Sequence, residues 1–281
     1  LGFNSTFYSY DNLSKKAKII QVELEKKMLG RYFPITVDIC ADAATTTNQL
    51  FQEIKKQKVN SNIKNWTNNF LKERKIFLSN RDNDKSLNKF PIQPSGLFKQ
   101  LRKVLPKNST ITLDAGTLCL QATDALEYYN PPSLFTPLDF GLVGFSFACG
   151  LGVKIAHPEK TVVSLMGDGG FGMTISELST AVQYKINTIT IVMNNNSWGA
   201  EKAYQKDFFG KRYIGADISN PPFYKVAQLY GAKGFEVNRI SEVNDALKAA
   251  LKCNKPAVIN VNVDPKALYS FRRDSFKHRK K

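Results

Sequence analysis

The residues of this chain best suited to chemistry are Asp168, between glycines in Gly167-Asp168-Gly169, and Asn195. The latter comes 27 residues later, within Met193-Asn194-Asn195-Asn196-Ser197-Trp198-Gly199. One offers a carboxylate and the other an amide oxygen. Hard oxygen ligands of this kind suit Mg²⁺, which takes a few protein oxygens and completes its octahedron with phosphate oxygens and water. Gly169 and Gly170 let main-chain N–H groups approach phosphates closely at the start of a helix. The chemistry is therefore that of a metal-and-diphosphate clamp. A lone Gly-Asp-Gly is more often a plain turn, so the elements around it decide the matter.

Those elements favour the clamp. Thr161–Met166 is short, apolar and β-branched and ends at glycine, which predicts a buried strand. A turn of small residues is expected next. Thr174-Ile175-Ser176-Glu177 then has capping-box spacing, with Ile175, Leu178 and Val182 at helical intervals. Thr188–Met193 predicts a second buried strand ending at the asparagines. Two parallel strands joined by one helix place both C-terminal tips on one sheet edge, so Asp168 and Asn195 should lie side by side.

This segment resembles the cofactor signature of thiamine diphosphate enzymes, in the acetolactate synthase and decarboxylase superfamily. The resemblance implies that Asp168, Asn195 and the carbonyl of Ser197 bind Mg²⁺. It implies that Gly141-Leu142-Val143-Gly144 holds the aminopyrimidine ring, with Val143 as the apolar wedge and the Gly141 carbonyl accepting from the ring amino group. Gly167, Gly169, Gly170 and Gly199 would line the cofactor. Val143 is smaller than the Met, Leu or Ile usual in that family, and core packing is the plain alternative for it and Leu142.

The rest of the chain is consistent with an α/β enzyme. It has 281 residues, 42% of them hydrophobic, enough for one large domain or a domain and a part. The expected fold is a mostly parallel sheet with helices on both faces, preceded by the C-terminal part of a Rossmann-like middle domain. Residues 1–58 would be that part, with a strand over 18–23, an apolar run over 35–40 and a helix over 43–54. Residues 59–89 would be a helical linker with one apolar patch at Trp66 and Phe70. The catalytic domain would span 90–281. It includes a helix over 96–104, a strand over 110–113, helices over 223–230 and 241–252, and strands over 234–237 and 257–263.

Relatives in that superfamily carry an N-terminal domain that supplies the glutamate activating the pyrimidine ring. No residue here takes that role. The expectation is a fragment of a longer protein rather than one subunit of a split enzyme.

Several function classes recede. His157, before Pro158 at an expected helix end, and His278, in a basic tail, leave no base for a Ser-His-Asp triad. Cys40, Cys119, Cys149 and Cys253 lack zinc or redox spacing, which fits a reduced, cytoplasmic chain. No apolar run reaches transmembrane length, so no membrane partner is expected. The net charge is +16, but the basic residues are scattered among asparagines and acids without aromatic interleaving, so no nucleic-acid partner is expected either. The positive field would instead draw a small anionic substrate. A homodimer or homotetramer is expected of the full-length protein.

Two further segments bear on the reaction. Trp198-Gly199-Ala200-Glu201-Lys202 and Phe271-Arg272-Arg273-Asp274 resemble the corresponding stretches of sulfoacetaldehyde acetyltransferases, as do Asp114 to Cys119 and Pro132 to Phe135. The Phe145–Cys149 stretch departs from that group in lacking a proline. The resemblance implies conversion of sulfoacetaldehyde and phosphate to acetyl phosphate and sulfite. Lys202, Arg272 and Arg273 would then contact sulfonate or phosphate, and Trp198 would line the pocket. Surface ion pairing is the alternative for the three cations, and packing beneath the metal loop for Trp198. An acetolactate synthase-like carboligase, a 2-oxoacid decarboxylase, or a basic binding protein on the same scaffold remain open.

Overall fold

The computed structural model describes residues 14, 16–31, 34–57, 61–82, 88–137 and 140–268. It divides into two compact units, one ending at Arg81 and the other beginning at Asp82. In the first, β1 (Ile20–Glu23) and β2 (Val37–Cys40) pair in parallel. Helix α1 (Ala43–Lys55) starts where the Asp42 carboxylate accepts from Thr45 N–H at 2.8 Å. Helix α2 (Ser61–Asp82) stacks the rings of Trp66 and Phe70, centroids 5.7 Å apart. Contacts group this helix with the first unit.

The second unit opens with α3 (Pro94–Val104), β3 (Thr110–Leu113), α4 (Thr117–Ala125) and β4 (Leu134–Phe135). Then come α5 (Phe145–Ala156), β5 (Val162–Gly167), α6 (Asp168–Thr174), α7 (Glu177–Gln183) and β6 (Ile189–Asn194). It closes with α8 (Gly199–Phe208), α9 (Phe223–Leu229), β7 (Lys233–Val237), α10 (Val243–Lys252) and β8 (Ala257–Asn262). The six strands form one parallel sheet in the order β4-β3-β5-β6-β8-β7. Each strand anticipated in this unit lies within one residue of its expected bounds; β5, β6 and β8 are short β-branched runs buried on both faces, which have few alternatives.

Side chains alternate between two cores, as a period of two demands. Val163, Leu165, Ile189, Ile191, Ile259 and Val261 pack with α3, α4 and α10 on one face. Met166, Val192 and Val258 pack with α5, α6, α7 and α9 on the other. On that second face Phe171 sits tilted against Phe147, centroids 5.7 Å apart, and edge-on to Phe223 at 5.2 Å. Burying one such ring contributes roughly 1.5–3 kcal/mol. The trio therefore fixes α6, which carries the glycine run, to its two neighbours.

One local expectation is overturned. The helix after β5 starts at Asp168, not near Thr174, and no capping box forms. Thr174 ends α6 with its hydroxyl turned back to Gly170 O at 3.4 Å, and the Glu177 carboxylate accepts from Thr180 forward along α7. The cause is the aspartate itself. A carboxylate in the first turn compensates the unpaired N–H groups there, and close approach of neighbouring groups demands the glycines that weaken helix propensity.

Candidate active site

The sheet changes direction between β3 and β5: β4 lies on one side of β3 and all later strands on the other. Crevices for ligands form at such points, outside the strand C-termini. Asp114 follows β3 and Asp168 follows β5, whose pairing runs to Leu113 opposite Leu165. Gly167 of β5 lies opposite Met193 of β6, which brings Asn195 to the same edge.

Asp168 is 2% exposed. Burial pushes its carboxyl above the usual range, while the Asn220 amide and the N–H groups of Asp168, Gly169 and Ser197 pull it back down. The Ser197 N–H also donates to Asn195 Oδ1 at 3.1 Å. That donor is therefore engaged by Asn195, beside the buried Asp168 carboxylate whose charge it helps to hold. Asn196 reaches this bend with φ of +54°. The Ser197 hydroxyl is buried without a hydrogen-bond partner among the described residues.

Two of the glycines, Gly169 and Gly170, are required by contact. A Cβ on Gly169 would stand 2.5 Å from the ring of Trp198, and one on Gly170 would stand 2.1 Å from Asp114 Oδ2. A Cβ on Gly199 would come within 3.3 Å of Asn195 Nδ2. Gly167 and Gly141 have open space instead, though Gly141 adopts φ of +71°. Trp198 therefore packs on the glycine turn, and its main-chain N–H donates to Ala216 O at 2.8 Å.

Gly144, with φ of +88°, begins α5, and its N–H donates to Asp114 Oδ2 at 3.1 Å. The Ser146 N–H donates to Asp114 Oδ1 at 3.2 Å. Asp114 is 1% exposed, and burial raises its carboxyl while these N–H groups, with those of Ala115 and Phe145, lower it. Among the described residues no basic side chain pairs with it. Its two oxygens join the Gly141–Gly144 loop to the Gly170 turn, and Val143 Cγ1 comes within 3.4 Å of a Gly170 Cβ. Sequence reasoning missed Asp114 as a site residue, although an aspartate just past a buried strand is the same signal that exposed Asp168.

Asn220 was also missed. Its Nδ2 donates to Asp168 Oδ2 at 2.7 Å, and nothing local in Ser219-Asn220-Pro221 announces this. Lys202 forms an ion pair with Asp217, its ammonium 5.4 Å from the centroid of Tyr213. Glu201 is exposed. Arg272 and Arg273 fall outside the described residues. Beside Val143 an apolar groove of about 710 Å³ runs along α5, and its lining has no lysine, arginine or carboxylate.

The arrangement suits a divalent cation and a diphosphate. Asp168 is a buried carboxylate with amide oxygens beside it, Ser197 has an unmatched hydroxyl, and the turn leaves no room for side chains. Among the described residues no cluster of three or more His, Cys, Asp or Glu could hold a metal, so any cation here would rely on amide and carbonyl oxygens as well.

Comparison with known proteins bears on the diphosphate part of this arrangement. The chain is 29% identical over 95% of its length to a sulfoacetaldehyde acetyltransferase of Castellaniella defragrans, of which it covers 48%. It is also 29% identical over 92% of its length to a probable acetolactate synthase large subunit of Methanococcus aeolicus, covering 45% of that protein. It spans about half the length of these relatives. A thiamine diphosphate-dependent 4-hydroxybenzoylformate decarboxylase of Rhodococcus jostii RHA1 shares the fold, with a TM-score of 0.73 at 23% identity over 90% of this chain and 45% of that one. The family model for the thiamine pyrophosphate enzyme, C-terminal TPP binding domain, matches residues 114–261, more than half of the chain, so the chain belongs to that family.

Proposed function

We propose that this chain is the cofactor-holding part of a Mg²⁺-dependent sulfoacetaldehyde acetyltransferase, which forms acetyl phosphate and sulfite from sulfoacetaldehyde and phosphate. The observation that carries the cofactor reading is that Asp168 and Asn195 follow the ends of two adjacent parallel strands, beside a turn where Gly169 and Gly170 leave no room for a Cβ. Asp168, Asn195 Oδ1 and the Ser197 carbonyl would hold the cation, and the N–H groups opening α6 would face the diphosphate. Bound there, thiamine diphosphate would supply an ylide carbon and an electron sink.

The protein's own part is to position and exclude. Asp114 pins the Gly141–Gly144 loop, Val143 would support the ring, and Trp198 covers the glycine turn. The acetyltransferase assignment draws on similarity to the Castellaniella protein and on the Trp198–Lys202 segment. A carboligase of the acetolactate synthase type is the second reading, favoured by the near-equal similarity to the Methanococcus protein.

Titration of the chain with thiamine diphosphate, with Mg²⁺ or with chelator, tests the site. Asp168→Ala should abolish metal-dependent binding with the melting temperature retained. Equal affinity in parent and variant would end the ligand assignment. For the full-length protein, phosphate-dependent sulfite release supports the acetyltransferase, whereas pyruvate consumption without phosphate supports the carboligase.

A further inference from the structure

We propose that Asn220 is a positioning residue that makes Asp168 a one-oxygen ligand and so biases the site towards Mg²⁺ over Ca²⁺; this rests on the cation-site reading above. The Asn220 Nδ2 lies 2.7 Å from Asp168 Oδ2, 3.2 Å from Asn194 Oδ1 and 3.3 Å from Asn196 Oδ1. Three oxygens around one N–H₂ group fix which way the amide points, since the reversed amide would set oxygen against oxygen. The shortest of the three bonds goes to the charged acceptor and is the strongest of them.

An oxygen that accepts such a bond donates less density to a cation. Oδ2 is therefore held back, and the carboxylate binds through its other oxygen. Ca²⁺ takes about 6–8 oxygens in flexible geometry and readily uses both oxygens of a carboxylate, whereas Mg²⁺ demands a near-regular octahedron of single contacts at about 2.0–2.1 Å. Withholding one oxygen costs Ca²⁺ a ligand and costs Mg²⁺ nothing.

The amide is placed by the backbone rather than by the cation. Residues 216–220 run as a strap along the metal loop. Ala216 O accepts from Trp198 N–H at 2.8 Å, Ile218 N–H donates to Asn196 O at 3.1 Å, and Asp217 pairs with Ser197 in an isolated antiparallel bridge. Lys202 of α8 holds the same strap through Asp217. Phe223, 1% exposed, anchors its far end in the core.

Calorimetric titrations of the full chain with Mg²⁺ and with Ca²⁺, in the presence of thiamine diphosphate, test the proposal. Asn220→Ala should weaken Mg²⁺ about tenfold, within the range typical of outer partners of metal ligands. Ca²⁺ should weaken less, so that the Mg²⁺ to Ca²⁺ affinity ratio falls several-fold. Asn220→Asp keeps the shape but replaces the donor with a second carboxylate oxygen, and should raise Ca²⁺ affinity. A ratio within twofold of the parent in both variants, or in Asn220→Asp alone if the alanine variant melts early, overturns the role given to Asn220. A parent chain with no cation-dependent binding, or an Asp168→Ala variant that binds like the parent, would instead sink the cation site and this role with it.

Discussion

Replacing Gly170 by alanine should damage the site through a single methyl group. The new Cβ would lie 2.1 Å from Asp114 Oδ2 and 3.3 Å from its Cγ. At least about 1 Å of movement restores a tolerable contact. The carboxylate is no free end: it is buried and accepts from Gly144 and Ser146 N–H at 3.1 and 3.2 Å. A retreat of that size breaks one or both bonds. A hydrogen bond to a charged group is worth about 1.5–3 kcal/mol, and overpacking adds about 1–3 kcal/mol, so a loss of roughly 2–4 kcal/mol is expected after partial relaxation.

For a domain of this size that lowers the melting temperature by roughly 4–16 °C. Gly172→Ala is the matched control, because it lies in the same helix with nothing within 4 Å of its Cβ. It should be neutral or stabilising by up to about 1 kcal/mol. Thermal melts followed by circular dichroism compare the two. Equal melting temperatures for Gly170→Ala and Gly172→Ala would refute the claim that Asp114 is pinned against the turn.

Two further outcomes follow from the same geometry. Burial raises the Asp114 carboxyl, so the folded state binds that proton more tightly than the unfolded chain does. Its contribution to stability is therefore best at low pH and declines as pH rises from about 3.9 through the raised value. Urea melts of parent and Asp114→Asn across that window should show the variant gaining relative to the parent as pH rises, and parallel profiles would contradict this. Gly169→Ala should push the Trp198 ring, whose nearest carbons would be 2.5–2.9 Å from the new Cβ. In a Trp66→Phe background the emission of Trp198 should then shift, and an unchanged spectrum would show that the ring does not rest on this turn.

What was readable beforehand, and what was not, divides along physical lines. Strands such as Thr110–Leu113 and Ala257–Asn262 are buried on both faces, so their composition alone nearly fixes them. That the strands carrying Asp168 and Asn195 pair in parallel and end on one edge followed from the handedness and direction of one crossover, which local pattern implies. The start of α6 was misplaced because Thr174–Glu177 has the right spacing, yet Asp168 in the first turn starts the helix earlier, and the glycines after it answer to Trp198 and Asp114, distant in sequence. For Lys202 the sequence left anion contact and surface ion pairing open, because its partner, Asp217, lies 15 residues away across a loop. Asn220 left no trace, since a single amide in a loop carries meaning only through what surrounds it.

The strand order also governs how the molecule can be made. β8 lies between β6 and β7, and among the described residues β7 pairs with β8 alone. During synthesis, β6 and β7 leave the ribosome before the segment that must slot between them. Until Ala257–Asn262 emerges, β6 offers an open backbone edge and β7 has no ladder at all. Such edges are templates for wrong pairing between chains. A nascent chain stalled before Ala257 would be the species most in need of a chaperone, whatever the finished protein's stability.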